Sequence, residues 1–513
     1  LINPNSLFWQ KIEKDRPKSM KQLFQKAYQN PSKIAVIDKN GSYTFGQLLS
    51  KSQQIALHIL AGENDLNEAR VAFMVSPGFD YVTIQWAIWQ AGGLAVPLCI
   101  SYPFPSLKYV LDDTTATVII ASDEYLDVLA PARANKSIRF FQISDFSSAI
   151  ESASLPEIES SRGAMILYTS GTTSLPKGVL TTHANIESQI STLVEAWNWT
   201  DSDHTVGILP LHHVHGIINV LSCALWSGAS ISFLSPFDAE QLFDLFETGK
   251  VTVFMAVPTI YFKLISSYES FPKERQNQIS IFLAKFRLMV SGSAALPVTV
   301  MEQWHQISGH YLLERYGMTE IGMAISNPYS GERRAGHIGQ ALPGVEIRLV
   351  DESNKFVSGG EPGEIQVKGP GVFKAYWGKP EATQKTFTSD GWFKTGDIAK
   401  FDAGYYKILG RDSIDIIKSG GYKISALEIE EVIRTHPLIK DCAVVGIPNT
   451  EWGELVVAAL ITVTELNSKE LIIWLKERIA AYKIPRQFIQ LDDLPRNAMG
   501  KVIKNELKKH FTS

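Results

Sequence analysis

The segment ILYTSGTTSLPKGVLTTH, residues 166–183, decides how the chain is read. Its apolar lead-in, Ala164 to Leu167, has the composition of a buried strand. That strand runs into a dense polar cluster: Thr169, Ser170, Gly171, Thr172, Thr173 and Ser174, then Pro176, Lys177 and Gly178. Clusters of Ser, Thr and Gly are commonly plain loops. Here the strand ahead and the lysine behind point to more. Glycines admit close backbone approach and positive φ. Hydroxyls, backbone N–H groups and one cation can together wrap a polyphosphate. The pattern is not a Walker A loop, which needs Lys preceded by Gly and followed by Ser or Thr. Pro176 precedes Lys177 and Gly178 follows it. A phosphate cradle of another architecture is expected.

Outward from this loop, short β-branched runs alternate with helix-like segments. KIAVID (33–38), EARVAFMV (68–75), LAVPL (94–98), TATVIIAS (115–122), TVGILP (205–210), ASISFL (229–234) and VTVFMAV (251–257) read as buried strands. SYTFGQLLSKSQQIALHILAG (42–62) reads as a helix with an apolar stripe. Such alternation predicts an α/β fold with layered, mostly parallel sheets. From about His337 to Lys400 the pattern turns to short strands with Gly/Pro turns, as in LPGVEIRLVD and GEIQVKGPGV, which predicts a β-rich subdomain. A second boundary is expected near Gly410-Arg411-Asp412, dividing the chain into 1–411 and 412–513. In the second part, Ser425 to Glu428 has the form of a capping box opening a helix that ends before Pro437. Strands over DCAVVGI and ELVVAALITV, a helix over ELIIWLKERIAAY and a basic tail follow, the makings of a small α+β domain.

The 513 residues exceed what one core usually organises, so two or more domains are expected. A net charge of −4 argues against a general nucleic-acid binder. No run approaches the length of a membrane span. Cys99, Cys223 and Cys442 each sit in an apolar run and read as buried hydrophobes in a reducing compartment. The first residues, LINPNSLFWQKIEKDRPKSM, lack a signal-peptide apolar core, and they carry too much acid for a typical transit peptide. A cytoplasmic protein is expected; the start on Leu1 leaves an upstream targeting segment open.

YTSGTTSLPKGV resembles the phosphate loop of the adenylate-forming superfamily, the acyl-CoA synthetases, luciferases and peptide-synthetase adenylation domains. The resemblance continues in family order through RYGMTEIGM (315–323), GWFKTGDIAKFDAGYYKILGRDSIDIIKSGGYKISALEIE (391–430) and PRNAMGKVIKNEL (495–507). It covers the chain nearly end to end. It implies ATP, Mg²⁺ and coenzyme A as reactants and cofactor. A carboxylate and ATP would give an acyl-adenylate, and the thiol would then displace AMP. It also implies a mobile C-terminal domain. By the same resemblance Thr169, Ser170, Gly171, Thr172, Thr173 and Lys177 hold the β- and γ-phosphates. Ser293 and Ala294, in SGSAA, line the adenine with Tyr316, Gly317 and Met318. Thr319 meets the α-phosphate and Glu320 holds Mg²⁺, a hard cation suited to oxygen ligands. Asp397 accepts from the ribose hydroxyls, Arg411 adds a ribose contact, and Asp412 is the hinge. Lys501 is implied to be catalytic, offsetting charge at the carboxylate and α-phosphate. Lys418, Gly420 and Gly421 would face the site after the domain swings and help form the coenzyme A tunnel; a plain tight turn would use the same glycines.

The acid is sought elsewhere. PLHHVHGI (210–217) matches the region lining the family's acyl pocket. His213 is implied to gate the path between carboxylate and thiol, while His212 and His215 pack or face the acid; zinc-ligand spacing is absent. Arg315, just before the motif tyrosine, is costly at a pocket wall unless it meets an anion. A second substrate carboxylate would supply one through a bidentate bond; a protein carboxylate is the alternative. Taken together, HHVHG, FMAVPTIY, SGSAALP and LLERYGMTEIGM resemble the malonyl-CoA synthetase branch. Val214 and Met323 would then limit a 2-substituent, admitting methylmalonate. The alternatives are a coenzyme A ligase for another short or medium acid, and a non-catalytic nucleotide-binding regulator on the same fold.

Overall fold

The structure, a computed structural model, describes residues 21–147, 154–169, 175–357, 360–497 and 500–511. They gather into two compact units. One takes the chain up to Val253 with Met318–Gly322 and Gly369–Lys385; the other takes Phe254–Gly317, Met323–Lys368 and the chain from Thr386. The fold is α/β throughout.

In the first unit a seven-stranded sheet runs in the order Ala375–Tyr376, Lys177–Thr182, Gly163–Thr169, Leu94–Pro97, Arg70–Met74, Val118–Ala121, Arg139–Gln142. Its middle is parallel, as expected for runs such as VAFM and VIIA that are buried on both faces. The two strands on either side of the Ser/Thr/Gly run depart from that expectation. Gly163–Thr169 and Lys177–Thr182 pair antiparallel, because the short segment between them cannot make the crossover that a parallel pair needs. Ala72, Val96, Ile119, Ile166 and Leu180 pack in the core beneath this sheet. Ile34–Asp38, Gly41–Thr44, His204–Gly207 and Ser230–Phe233 form further strands of this unit. The helix Phe45–Leu60 begins at a capping box in which the Thr44 hydroxyl accepts the Gln47 N–H and the Gln47 side chain accepts the Thr44 N–H. All seven expected strands are present, six with trimmed ends and one, His204–Gly207, starting a residue before TVGILP and stopping three residues short of its end.

In the second unit Leu288–Ser291 pairs parallel with Leu313–Met318. The β-rich stretch is a four-stranded antiparallel sheet, Glu346–Val350, Gly363–Lys368, Phe393–Asp402 and Tyr405–Arg411. Beyond it, Ile416–Ser419, Tyr422–Ser425, Ile439–Asn449 and Gly453–Thr462 build an antiparallel sheet, with Gln487–Gln490 added in parallel. The helix Ala426–Arg434 packs on it through Ile429 and Ile433. Only half of the expected capping box forms. The Ser425 hydroxyl accepts the Glu428 N–H, but the Glu428 carboxylate is taken by Lys483 at 2.6 Å. The helix expected over ELIIWLKERIAAY stops at Lys476, and Ile484 before Pro485 is extended, as a pre-proline residue prefers. Cys99, Cys223 and Cys442 are buried free thiols, and burial raises the pKa of Cys223 and Cys442.

Candidate active site

In the first unit Thr169 ends one strand, Lys177 opens the next, and the two are cross-strand partners. Ser170, Gly171, Thr172 and Thr173 lie outside the described residues. Residues 170–176 therefore connect the arms of an antiparallel hairpin. Its stem is tied down: the Tyr168 hydroxyl donates to Asp113 at 2.6 Å and the Tyr109 hydroxyl donates to the Pro176 carbonyl at 2.8 Å. At the far end of the opening segment, Thr182 caps the helix His183–Ala196 by accepting the Asn185 N–H.

The Lys177 ammonium lies 4.9 Å from the centre of the Tyr376 ring. The Tyr376 hydroxyl donates to Glu320 Oε1 at 2.8 Å, and the Glu320 carbonyl accepts the Phe373 N–H at 2.7 Å. Tyr376 thus brings the loop lysine and the buried Glu320 carboxylate into one cluster. Thr319, half-buried, is in the same turn as Glu320. Sequence reasoning missed Tyr376; its only signal was an aromatic pair, Tyr376 and Trp377, amid glycines.

The His212 and His213 rings stand 4.2 Å apart. Burial lowers the His212 pKa to about 4, which keeps that ring neutral at pH 7. Val214 leads into the π-helix His215–Ser222, in which His215 is buried. Gly216 is held close: a Cβ there would come 2.5 Å from the Pro210 carbonyl oxygen.

In the second unit the strand Leu288–Ser291 delivers Gly292, Ser293 and Ala294. Ser293 has φ 70°, a left-handed conformation costly for a residue with a side chain. Arg315 lies flat over this turn: a Cβ on Gly292 would meet its Cζ at 2.5 Å. Arg315 is 3% exposed, so its charge is carried by a buried residue. Its contact with the Ser293 hydroxyl is 3.5 Å, and Nε has no hydrogen-bond partner among the described residues. Burial pushes the Arg315 pKa down to about 9, with Glu314 opposing, so the group stays cationic at pH 7. Met323 is buried at the head of the strand Gly322–Ser326.

Glu314 does not neutralise that charge. Its Oε1 accepts the Leu296 N–H at 3.0 Å, while Oε2 is buried without a partner. Burial raises its pKa to about 8, the Leu296 hydrogen bond and Arg315 opposing and Glu431 adding to the rise. A folded-state pKa above the unfolded value makes its stability contribution complete below about pH 4.5 and lost as pH rises toward 8. The cost is about 1.4 kcal/mol per pH unit within that window. Glu314→Gln, which mimics the protonated acid, should therefore melt with a flatter pH dependence between pH 6 and 8 than the parent; parallel melting curves would refute the assignment.

Tyr316, Asp397 and Arg411 come together. The Tyr316 hydroxyl donates to Asp397 Oδ2 at 2.6 Å and Arg411 Nε donates to Oδ1 at 2.8 Å. The antiparallel register, with Asp397 opposite Arg411, makes this pair. Gly317 follows half-buried, whereas Met318 falls in the first unit. Asp412 donates its N–H to the Gly396 carbonyl, and its carboxylate is 3.9 Å from the Lys418 ammonium.

Lys501 sits in a tight loop. Its N–H donates to Asn497 Oδ1 at 3.0 Å, and its carbonyl accepts the Asn497 N–H at 2.9 Å. Gly500, at φ 73°, lies so near the helix Pro258–Ser270 that a Cβ would come 2.6 Å from the Thr259 hydroxyl. The Lys501 side chain keeps exposed surface, yet the protein around it removes enough hydration to lower its pKa. Arg411 and Arg315 push the same way, and Asp397 and Asp415 oppose. The lysine, the Asp397–Arg411 pair and Arg315 thus share one electrostatic neighbourhood. Lys418 lies on the strand Ile416–Ser419, and the two-residue turn Gly420-Gly421 joins that strand to Tyr422–Ser425. Both glycines there have positive φ, and Gly420 is pressed on the Trp452 ring.

Residues 23–377 match the AMP-binding enzyme family and residues 428–501 match its C-terminal domain. The chain is 43% identical to malonate–CoA ligase ACSF3, mitochondrial, of Xenopus laevis, over 97% of this chain and 93% of that one. It is 39% identical to the malonate–CoA ligase of Arabidopsis thaliana, over 95% and 88%. Among solved structures, ATP-bound MatB from Rhodopseudomonas palustris is similar at a TM-score of 0.88 and 33% identity, covering 96% of this chain and 99% of that chain. A match spanning most of the sequence, with relatives alike nearly from end to end, makes this chain a member of the AMP-binding enzyme family.

Proposed function

We propose that the protein is an ATP- and Mg²⁺-dependent acid–thiol ligase that converts malonate and coenzyme A to malonyl-CoA, releasing AMP and pyrophosphate. The observation that carries the choice of acid is Arg315, a buried cation with no ion-paired carboxylate among the described residues and a protonated neighbour in Glu314. One carboxylate of a small diacid reacts while the other meets the guanidinium, a bidentate match that repays its burial. By the family resemblance Val214 and Met323 would limit a 2-substituent, so methylmalonate is the next candidate. The names of the relatives, malonate–CoA ligase, support the same acid.

In the first step a substrate carboxylate oxygen attacks the α-phosphorus, the bond to the bridging oxygen breaks, and pyrophosphate leaves. Thr169, Ser170, Gly171, Thr172, Thr173 and Lys177 hold the departing phosphates. Thr319 bonds the α-phosphate, Ser293, Ala294, Tyr316, Gly317 and Met318 enclose the adenine, and Asp397 with Arg411 takes the ribose. Lys501 offsets charge at the reacting oxygens. Among the described residues no three metal-ligating side chains cluster. One buried carboxylate, Glu320, oriented by Tyr376, nevertheless suits a cation whose other ligands are phosphate oxygens and water. Mg²⁺ held by Glu320 would supply charge neutralisation of the polyphosphate. Residues 412–513 then swing about Asp412 against 1–411, Lys501 withdraws, and Lys418, Gly420 and Gly421 approach. The thiol sulfur attacks the acyl carbon past His213, AMP leaves with the carbon–oxygen electron pair, and the thiol proton passes to solvent.

Among the described residues no helix is long and apolar enough to cross a membrane. The cytoplasmic location expected from the sequence stands as part of this proposal, beside animal relatives whose names say mitochondrial. The test is AMP release with malonate, methylmalonate, acetate and octanoate. Malonate should lead in kcat/KM by about a hundredfold over acetate, the worth of a charge-assisted hydrogen-bond pair. Acetate or octanoate equal to malonate would overturn the dicarboxylate assignment.

A further inference from the structure

We propose that Arg496 is a positioning residue for Lys501, the terminal member of a chain of alternating charges that ties the hinge to the lysine loop. The Arg496 guanidinium donates from one nitrogen to the Gly500 carbonyl at 2.7 Å and from another to Asp441 Oδ2 at 2.5 Å. Asp441 Oδ1 accepts from Arg434 Nε at 3.2 Å. Arg434 also donates to Glu430 Oε2 at 3.3 Å and to the Cys442 carbonyl at 3.1 Å. Glu430 Oε1 accepts from Lys504 at 2.8 Å and from the Val444 N–H at 2.9 Å. Lys504 reaches on to Asp415 Oδ1 at 2.7 Å, and Asp415 Oδ2 accepts the backbone N–H of Arg411 at 3.0 Å. Arg411 immediately precedes Asp412.

Glu430 and Lys504 are buried, and buried ion pairs contribute little net stability against apolar residues of the same shape. Their effect is on geometry. A fully satisfied polar network holds its members in one arrangement. Here that network links the segment that must rotate to the loop that must arrive. At the loop end Arg496 fixes the Gly500 carbonyl, and so the plane of the peptide that carries Lys501. Together with Asn497, which holds the Lys501 N–H and carbonyl, it sets where the lysine stem leaves the backbone. Misplacing a reacting group by an ångström can cost about a hundredfold. Lys501 acts in adenylate formation and is withdrawn from thioester formation, so loss of its positioning falls on one half-reaction only. General damage to the domain falls on both.

This inference rests on the adenylation role of Lys501 proposed above, and the experiment separates the two. Arg496→Ala, the milder Arg496→Gln, Arg496→Lys and Lys501→Ala are compared in malonate-dependent ATP–pyrophosphate exchange and in thioester formation from supplied adenylate. Arg496→Ala should lose exchange by about 10–100-fold, with the KM for ATP and the thioester step within about twofold of the parent. Arg496→Lys should recover much of the exchange. Exchange lost in Lys501→Ala but untouched in both Arg496→Ala and Arg496→Gln overturns the positioning role alone. Equal losses in the two half-reactions also overturn it, as the sign of a structural role. Exchange surviving in Lys501→Ala overturns the lysine assignment and this inference with it.

Discussion

Arg315→Ala should lower kcat/KM for malonate by about 10²–10³-fold, since truncating one partner of a buried, hydrogen-bonded charge pair costs about 2–5 kcal/mol. Acetate, which has no second carboxylate, should be hardly affected or improved. The asymmetry follows from the Arg315 surroundings. Glu314 is held protonated, the Ser293 contact is long at 3.5 Å, and nothing else among the described residues offers a carboxylate. The same reasoning predicts a stability gain. Arg315→Met keeps much of the side-chain volume and removes a buried charge, so it should melt higher than the parent while losing malonate turnover. Arg315→Lys should not restore activity, because an ammonium cannot present the planar fork. Equal losses on malonate and acetate would refute the dicarboxylate contact.

Lys501→Ala should reduce adenylate formation by about 10²–10³-fold, the scale seen when one transition-state charge stabiliser is removed. Thioester formation from supplied adenylate should survive. The pH profile adds an independent readout. Burial and the nearby arginines lower the Lys501 pKa, and the proposed role in offsetting charge needs the protonated form. The adenylation rate should therefore fall, as pH rises, earlier than an ordinary lysine would allow. Lys501→Arg, whose charge persists, should lose that alkaline limb. A profile unchanged by the Arg substitution would show that some other group titrates there.

The α/β layers were legible because buried parallel strands read as β-branched runs, and VAFM, VIIA and VFMA needed no tertiary information. The Ser/Thr/Gly run stands out by composition, and the pairing of the strands on either side of it does not. Only the pairing of Thr169 with Lys177 shows an antiparallel hairpin where alternation suggested parallel strands. Asp397 and Arg411 were expected as ribose contacts, and an ion pair was the plainer reading of the same two residues; that they pair with each other follows from the register of their strands. Tyr376 was missed because a two-residue strand has no period to detect. Arg496 was hidden for another reason. A basic residue in a basic tail reads as solvated charge, and its partner Asp441, 55 residues away in sequence, is on a strand of the sheet and meets it only in the fold.

The stem on either side of residues 170–176 has a consequence for how that segment can vary. Its two arms are locked by a ladder of backbone bonds, by Tyr168 on Asp113 and by Tyr109 on Pro176. A hairpin can lengthen, shorten or exchange its tip while the arms keep their register. A loop that must hand a strand directly to a helix has no such freedom. The segment between Thr169 and Lys177 can therefore change in length and sequence while the arms on either side of it keep their register.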